Sequence, residues 1–382
     1  MIIKEFEKYK ELPLELIVQL TTACNLRCTY CFQYKSKPKM MSVDMAKKCM
    51  DFIMSKDDGS MRIVNFYGGE PTLNLDAMEA LVDRYIENRN RGNTTIVYFY
   101  INSNGLIMND RFINIIKKVM TVSTFRYSLS INGSKESHDK SRRSVSGTGT
   151  FDLINENIKK LRKEIPNIDI EGHAVADREF IRNLKENVIS MITNEVFDES
   201  TCEPMFYGTG EEYTKEDFET IVKVYRELIQ EGYDYKKIYI MFDPFMEESS
   251  YQNITYGCPR VCVPGKQVLC VDTNGDFLPC DFYLHLTDYS KHLMGNIFGN
   301  YEDYNKYVEY YGKVKGDLMG RPKSCKSEYG TLCKEECSCS AECQVCNSIA
   351  ELMTGERLVI PKGVCDRTKL MCEVFTKEKF IK

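Results

Sequence analysis

The stretch "TTACNLRCTYCFQY", residues 21–34, places Cys24, Cys28 and Cys31 within one short loop and no histidine beside them. Thiols at C-x3-C-x2-C spacing leave three readings open. They can bind three irons of a [4Fe–4S] cluster whose fourth iron has no protein ligand, they can bind zinc, or they can be ordinary buried cysteines. A structural zinc asks for a fourth Cys or His close by, and none is present in this stretch.

Working outward, the loop follows a short apolar run, "ELIVQL" (15–20), and precedes "SVDMAKKCMDFIMSK" (42–56), which has an N-cap serine and helical spacing. The same alternation repeats. Strand-like "RIVNFY" (62–67), "TIVYFYIN" (95–102), "FRYSLSI" (125–131) and "IDIEGHAV" (168–175) are followed by helical 74–89, 109–120, 151–164 and 178–192. A weak strand near Met205–Tyr207 precedes the clearest helix, 214–232, with Thr214 and Asp217 as capping pair and Gly232 at its end. Six such alternations predict an α/β fold with a parallel sheet and outer helices, curled into a partial barrel. Function in such sheets collects at the carboxyl ends of the strands, where the cysteine loop falls. Residues 233–257 lose the alternation and read as a bridge, and "KQVLCVDTNGDFLPCDFY" (266–283) reads as a β-hairpin about Asn274–Gly275.

The chain has 382 residues and a formal charge of −5, so it is a poor partner for nucleic acid. No apolar run is long enough for a membrane span and the N-terminus is not a signal peptide, so a cytoplasmic protein is expected. Seventeen cysteines in a reducing compartment suggest metal rather than disulfides. Three sit at 24–31 and twelve lie between Cys258 and Cys372, where a loop-rich segment would draw folding energy from bound metal. Cys49 is expected in the core, and the four histidines in surface or core roles.

Gly68-Gly69-Glu70-Pro71 at the end of the second strand, together with the cysteine loop after the first, resembles the radical S-adenosylmethionine (SAM) superfamily. That resemblance implies a partial (β/α)6 barrel over residues 1–232. It also implies a SAM-binding [4Fe–4S] cluster on Cys24, Cys28 and Cys31, with SAM on the open iron. One electron then cleaves SAM, and the resulting 5′-deoxyadenosyl radical removes a hydrogen atom from substrate. By the same resemblance Tyr30, Gly68, Gly69, Glu70, Asn104, Ser130 and Arg142 contact the cofactor. Closely related enzymes carry Asp where this chain has Asn132.

Gly275-x4-Cys280 and Cys333-x5-Cys339-x3-Cys343, with Cys262 before and Cys365 after, resemble the SPASM domain, here 258–382. This implies two auxiliary [4Fe–4S] clusters, one on Cys258, Cys262, Cys280 and Cys343, the other on Cys325, Cys333, Cys339 and Cys365. The cysteine expected two residues before Cys333 is missing, and either Cys325 or Cys337 would stand in for it. "LPCDFY" resembles anaerobic sulfatase-maturating enzymes, in which the residue equivalent to Asp281 is a general base. The expected function is oxidative maturation of a peptide or protein, with a thioether or related cross-link as product. The alternatives are oxidation of a sulfatase Cys or Ser to formylglycine and a non-catalytic zinc scaffold. The expected partners are the peptide substrate and a low-potential electron donor such as flavodoxin or ferredoxin. With little sequence before Glu15, no N-terminal peptide-recognition domain is expected.

Overall fold

The computed structural model describes residues 12–31, 33, 37–204, 213–233, 238–240, 267–286, 288–299, 303–306, 326–327, 329–330, 336, 354, 359–360 and 362–377. The strand expected near Met205–Tyr207, most of the 233–257 bridge, and Cys258, Cys262, Cys325, Cys333, Cys339 and Cys343 lie outside them.

The chain begins β1 (Glu15–Thr21), α1 (Val43–Ile53), β2 (Met61–Gly68), α2 (Leu75–Asn90), β3 (Ile96–Ser103), α3 (Asp110–Met120) and β4 (Phe125–Ser130). It continues through α4 (Lys135–Ser141), α5 (Phe151–Glu164), β5 (Asp169–Ala176), α6 (Arg178–Arg182), α7 (Leu184–Ile192), β6 (Glu199–Pro204), α8 (Lys215–Gln230) and β7 (Ile238–Ile240). The strands β8 (Val268–Val271), β9 (Phe277–Leu278), β10 (Lys326–Ser327) and β11 (Val359–Ile360) follow, with a last helix at Lys362–Lys377. The α/β class with a parallel sheet is the one the sequence predicts. It divides into two compact units. One holds Met1–Ser130, Arg142–Ile170 and Val263–Val314; the other holds Ile131–Ser141, Glu171–Cys262 and Lys315–Lys382.

In the first unit the strand order is β4-β3-β2-β1-β8-β9, parallel except for the β8–β9 hairpin. Strand periodicity sorts each side chain to one of two faces. Val97, Phe99 and Ile101 of β3 are buried, whereas Tyr98 is exposed and Tyr100 and Asn102 are half-buried. The apolar face packs under the helices. Phe66 lies 5.7 Å from Phe99 and 6.3 Å from Phe125, Tyr85 of α2 meets Phe99 edge-on at 5.4 Å, and Phe112 of α3 reaches Tyr127 at 6.1 Å. Each fully buried ring contributes about 3 kcal/mol through lost apolar exposure. The opposite face carries Glu15, Gln19, Asn65, Tyr67, Asn102, Ser128 and Ser130.

The hairpin joins this unit. Strand β8 lies parallel to β1 from Glu15↔Val268 to Val18↔Val271. Phe277 of β9 packs 5.1 Å from Phe52 of α1 and 5.9 Å from Tyr304. Asn274–Gly275 does turn the chain, but within a three-residue loop. The amide of Gly275 donates to Asp272 O at 3.0 Å, and Gly275 alone of the loop takes positive φ, at 85°. This is a type I turn closed by a left-handed glycine. Buried Asp272 fixes it by accepting from the amides of Asn274 and Asp276 at 2.8 and 2.9 Å.

In the second unit β5, β6 and β7 run parallel. Ala174, Ala176, Phe180, Leu184, Phe218, Ile221 and Leu228 form its core, joined by Val374 of the last helix. Thr214 and Asp217 make the expected reciprocal cap on α8. The helix predicted over 178–192 is instead broken at Asn183, and Asn187 Nδ2 donates to the Phe180 carbonyl at 2.9 Å. Among the described residues no helix is long and apolar enough to cross a membrane.

If the hairpin belongs to the first unit's core, Phe277→Ala should destabilise the chain by about 3–5 kcal/mol. Urea denaturation of the reconstituted protein measures this. A loss under about 1 kcal/mol would mean that β9 rests on the unit without supporting it.

Candidate functional site

The cysteine loop leaves the carboxyl end of β1 through a narrow neck. Thr21 Oγ1 donates to Lys39 O at 2.8 Å, Met41 N donates to Leu20 O at 2.9 Å, and Thr22 N donates to Lys39 O at 3.0 Å. Buried Asn74 ties the neck to α2. Its Nδ2 donates to Leu20 O at 2.8 Å and Met41 O at 3.0 Å, and its Oδ1 caps the helix at the amide of Ala77.

Gly68 and Gly69 hold the root of the loop. A Cβ on Gly68 would sit 2.2 Å from Thr21 O, and one on Gly69 would sit 2.3 Å from Ala23 O. Those atoms are backbone and cannot swing away. The glycines therefore let the end of β2 lie flush on the segment entering Cys24, where Gly69 N donates to Thr21 O and Glu70 N to Ala23 O. The sequence suggested close approach to a ligand; the first partner they approach is the protein's own chain.

Glu70 is almost fully buried, and its carboxylate accepts from Thr72 N at 3.1 Å, Thr72 Oγ1 at 2.6 Å, Ser103 Oγ at 2.9 Å and Asn104 N at 2.7 Å. Burial raises its pKa, opposed by those hydrogen bonds. It joins the end of β2 to the end of β3. Asn104 then points to the cysteine loop, donating to Asn25 Oδ1 at 2.7 Å with Cys24 Sγ at 3.9 Å. Asn25 is a site residue the sequence reading missed; its place between the first two cysteines was the available signal.

Cys24, Cys28 and Cys31 are partly exposed free thiols. Burial pushes the Cys24 thiol up to about 11, the Leu26 amide opposes this, and Glu70, Cys28 and Cys31 add to it. Among the described residues no three His, Cys, Asp or Glu donors are grouped to hold a single metal ion. A cluster takes one thiolate on each of several irons and needs no such convergence. The donor set fits that case: three soft sulfur donors on one loop.

Arg142 is 7% exposed and donates to the Tyr30 hydroxyl at 2.6 Å. Burial works against its charge, but Cys28, Tyr30 and Cys24 outweigh that and raise its pKa. Its Nε is buried with no hydrogen-bond partner among the described residues, so the group has a donor to spend on an anion. The loop is pinned beside it, Arg27 N donating to Arg143 O at 2.8 Å. Ser130 sits half-buried at the carboxyl end of β4. Asn132 is committed locally, donating to Ser141 Oγ and to Val175 O at 3.2 Å each. Asp281 opens a 3-10 turn after buried Cys280. It hydrogen-bonds Tyr67, whose pKa is raised by burial first and by Asp281 next. Tyr67 was also missed, although it directly precedes Gly68 on the polar face of β2. Cys365 is buried on the last helix, in the second unit.

Residues 18–175 match the radical SAM superfamily. The chain carries a radical SAM domain. The match runs from β1 to β5 and includes the cysteine loop, Gly68–Glu70, Asn104, Ser130 and Arg142, while Asp281 lies beyond it. A radical SAM domain makes the chain an enzyme and removes the zinc-scaffold alternative. A cysteine-type anaerobic sulfatase-maturating enzyme of Clostridium perfringens is 23% identical over 358 residues, covering 85% of this chain and 89% of that protein. A solved structure described as native anSMEcpe with bound AdoMet and Kp18Cys peptide superposes with TM-score 0.72 at 19% identity, covering 96% of this chain and 98% of that one. Streptococcus suis SuiB bound to precursor peptide SuiA gives TM-score 0.60 at 17% identity, covering 94% and 76%.

The close approach at the root of the radical SAM loop can be tested directly. Gly69→Ala should weaken iron binding about 10-fold or more on anaerobic reconstitution, with far-UV circular dichroism unchanged. Undiminished iron per chain would show that the glycine contact does not position the thiols.

Proposed function

We propose that this radical SAM enzyme is a maturase that removes a hydrogen atom from a side chain of a peptide or protein and oxidises it by two electrons. The observation that carries the reading is the joint placement of three thiols and a buried, underused arginine at the carboxyl end of a parallel sheet, beside its polar face. Cys24, Cys28 and Cys31 would hold a [4Fe–4S] cluster. Tyr30, the Gly68–Gly69 backbone, Asn104, Ser130 and Arg142 would hold SAM, with Arg142 Nε on its carboxylate. Glu70 serves that set by fixing Asn104 and the end of β2. The cofactor pair supplies an organic radical able to break an unactivated C–H bond.

The chain's own residues then position the substrate. Asn65 donates to Glu15 at 3.0 Å and accepts from Asn102 at 3.3 Å, so the polar face is a prepared hydrogen-bonding surface. Asp281, held by Tyr67, would take the proton released from the oxidised side chain. The electron would leave through auxiliary [4Fe–4S] clusters on Cys258, Cys262, Cys280 and Cys343 and on Cys325, Cys333, Cys339 and Cys365. A low-potential flavodoxin or ferredoxin would return electrons to the first cluster.

The product we expect is a thioether or related cross-link in a ribosomally made peptide. Formylglycine formation in a sulfatase is the second reading, favoured by Asp281 directly after Cys280 and by a likeness to a sulfatase-maturating enzyme that spans most of both chains. Incubation of reconstituted enzyme, SAM and reductant with cysteine-containing precursor peptides and with sulfatase peptides separates them. Loss of two hydrogens with sulfur retained in a cysteine peptide supports cross-linking, whereas aldehyde formation supports the second. Replacing Cys24, Cys28 and Cys31 together by alanine should abolish 5′-deoxyadenosine formation; continued SAM cleavage would refute both readings. Asp281→Asn should lower product about 10²-fold while SAM cleavage persists.

A further inference from the structure

Ser128 and Asn102 stand side by side on the polar face of the first unit. They are register partners on the parallel strands β4 and β3, so both side chains leave the sheet on one face. Alternate residues of the same strands, Tyr127, Leu129 and Ile101, are buried on the opposite face, where Tyr127 meets Phe112 of α3. Ser128 is 1% exposed, and its hydroxyl has no hydrogen-bond partner. Alanine would fill the same place without the cost of an unpaired buried hydroxyl, so the hydroxyl points to a partner from outside the chain. Asn102 beside it is half-buried. Both residues, with Asn65 and Glu15, belong to the compact unit that carries the cysteine loop.

The direction of the neighbouring bonds fixes what the pair offers. A carboxylate only accepts. Glu15 Oε1 takes Asn65 Nδ2 at 3.0 Å, so Asn65 turns its Oδ1 toward Asn102. That oxygen in turn accepts from Asn102 Nδ2 at 3.3 Å. Asn102 Oδ1 is the end left over, and it accepts no hydrogen bond among the described residues. The pair therefore presents an acceptor, Asn102 Oδ1, next to a hydroxyl with a proton to give. That arrangement matches the N–H and C=O of an amide, whereas a carboxylate would set oxygen against Asn102 Oδ1. The pair lies two residues back from Asn104 and Ser130 on the same chain segments, a step of about 7 Å from the strand ends beside the cysteine loop.

We infer that Asn102 and Ser128 bind one amide group of the peptide substrate, Asn102 Oδ1 accepting its N–H and Ser128 Oγ donating to its C=O. The inference rests on the peptide-maturase reading and names the group of the peptide that the polar face holds. Asn65 and Glu15 are positioning residues, since they decide which end of the Asn102 amide faces the ligand. No covalent bond is made or broken at this subsite. Its effect is on specificity: an amide anchored a fixed step from the strand ends determines which residue of the peptide reaches them. A backbone amide and an Asn or Gln side chain share this chemistry, and the test separates the two sources.

The test uses the reconstituted full chain, SAM, reductant and a synthetic cysteine-containing peptide that wild type oxidises. Ser128→Ala should raise the KM for that peptide about 10-fold while kcat changes less than about twofold, as for a contact made equally in ground and transition states. Its urea midpoint should not fall, because the hydroxyl removed has no partner in the chain, whereas loss of a merely structural serine would lower it. Asn102→Leu should raise the same KM about 10-fold or more. Glu15→Leu, which lets the Asn65 amide turn, should raise it about fivefold, and Glu15→Gln, which still accepts from Asn65, should recover it. Peptides N-methylated at one backbone amide each, and peptides with one Asn or Gln changed to Ala, then find the ligand. One such change should raise the wild-type KM about 10-fold yet add less than about twofold in Asn102→Leu. An N-methyl group with that behaviour identifies a backbone amide, and an Asn or Gln identifies a side-chain amide. The inference is overturned if Ser128→Ala leaves the peptide KM within about twofold, if the KM for SAM rises in its place, or if no peptide change couples to Asn102. Wild type that cleaves SAM but modifies no peptide overturns the maturase reading instead, and with it the ligand named here.

Discussion

The site depends on a steric constraint: at the end of β2 there is no room for a β-carbon. The backbone of Thr21 and Ala23 occupies the space at 2.2 and 2.3 Å. Two strands can end this close only if the second ends in glycine. Once they do, Gly69 and Glu70 donate their amides to the segment that enters Cys24, and the buried Glu70 carboxylate reaches across to Ser103 and Asn104. Three strand ends are thereby fixed to one another before any ligand is considered. The cysteines inherit that geometry.

The charges in this region conflict until a cation arrives. Cys24 resists ionisation because it is partly buried and faces Glu70, Cys28 and Cys31. Glu70 tolerates burial through four donated hydrogen bonds, and Arg142 is the cation placed against the thiols. An iron–sulfur cluster would reverse the preference of the Cys24 thiol, since metal binding is what makes a buried thiolate favourable. Arg142 would then face a more strongly anionic group while retaining Nε for a second anion. A single guanidinium can serve both because its donors fan out in a plane.

Much of the first unit was legible because local signals and tertiary demands agree there. Ser42 in the first unit, like Thr214 in the second, caps its helix where the sequence placed it, since each side chain satisfies an amide that has no partner within its helix. The α4 helix, Lys135–Ser141, was missed because it has too few turns to show an apolar stripe. The break at Asn183 was missed because the bond that accompanies it, from Asn187 to the Phe180 carbonyl, is a side-chain choice that periodicity does not encode. The hairpin was foreseen but its neighbour was not: nothing local says that β8 lies against β1, an association across about two thirds of the chain. The Glu171–Thr201–His173 contact is invisible for the same reason. It exists only in the register between two strands.

These distinctions change how a sensitive residue is interpreted. Glu70 stands in a motif tied to cofactor binding, yet both its carboxylate oxygens are engaged by Thr72, Ser103 and Asn104. A substitution there would leave buried donors without an acceptor, at a cost of about 1–3 kcal/mol each, and would release Asn104 from the loop. Activity would vanish although no ligand contact had been removed. Arg142 differs, because part of its hydrogen-bonding capacity is unspent within the described structure. Of two residues in the same motif set, the saturated one shapes the site and the unsaturated one has a donor left for a ligand. Loss of function alone does not separate them; the count of satisfied hydrogen bonds does.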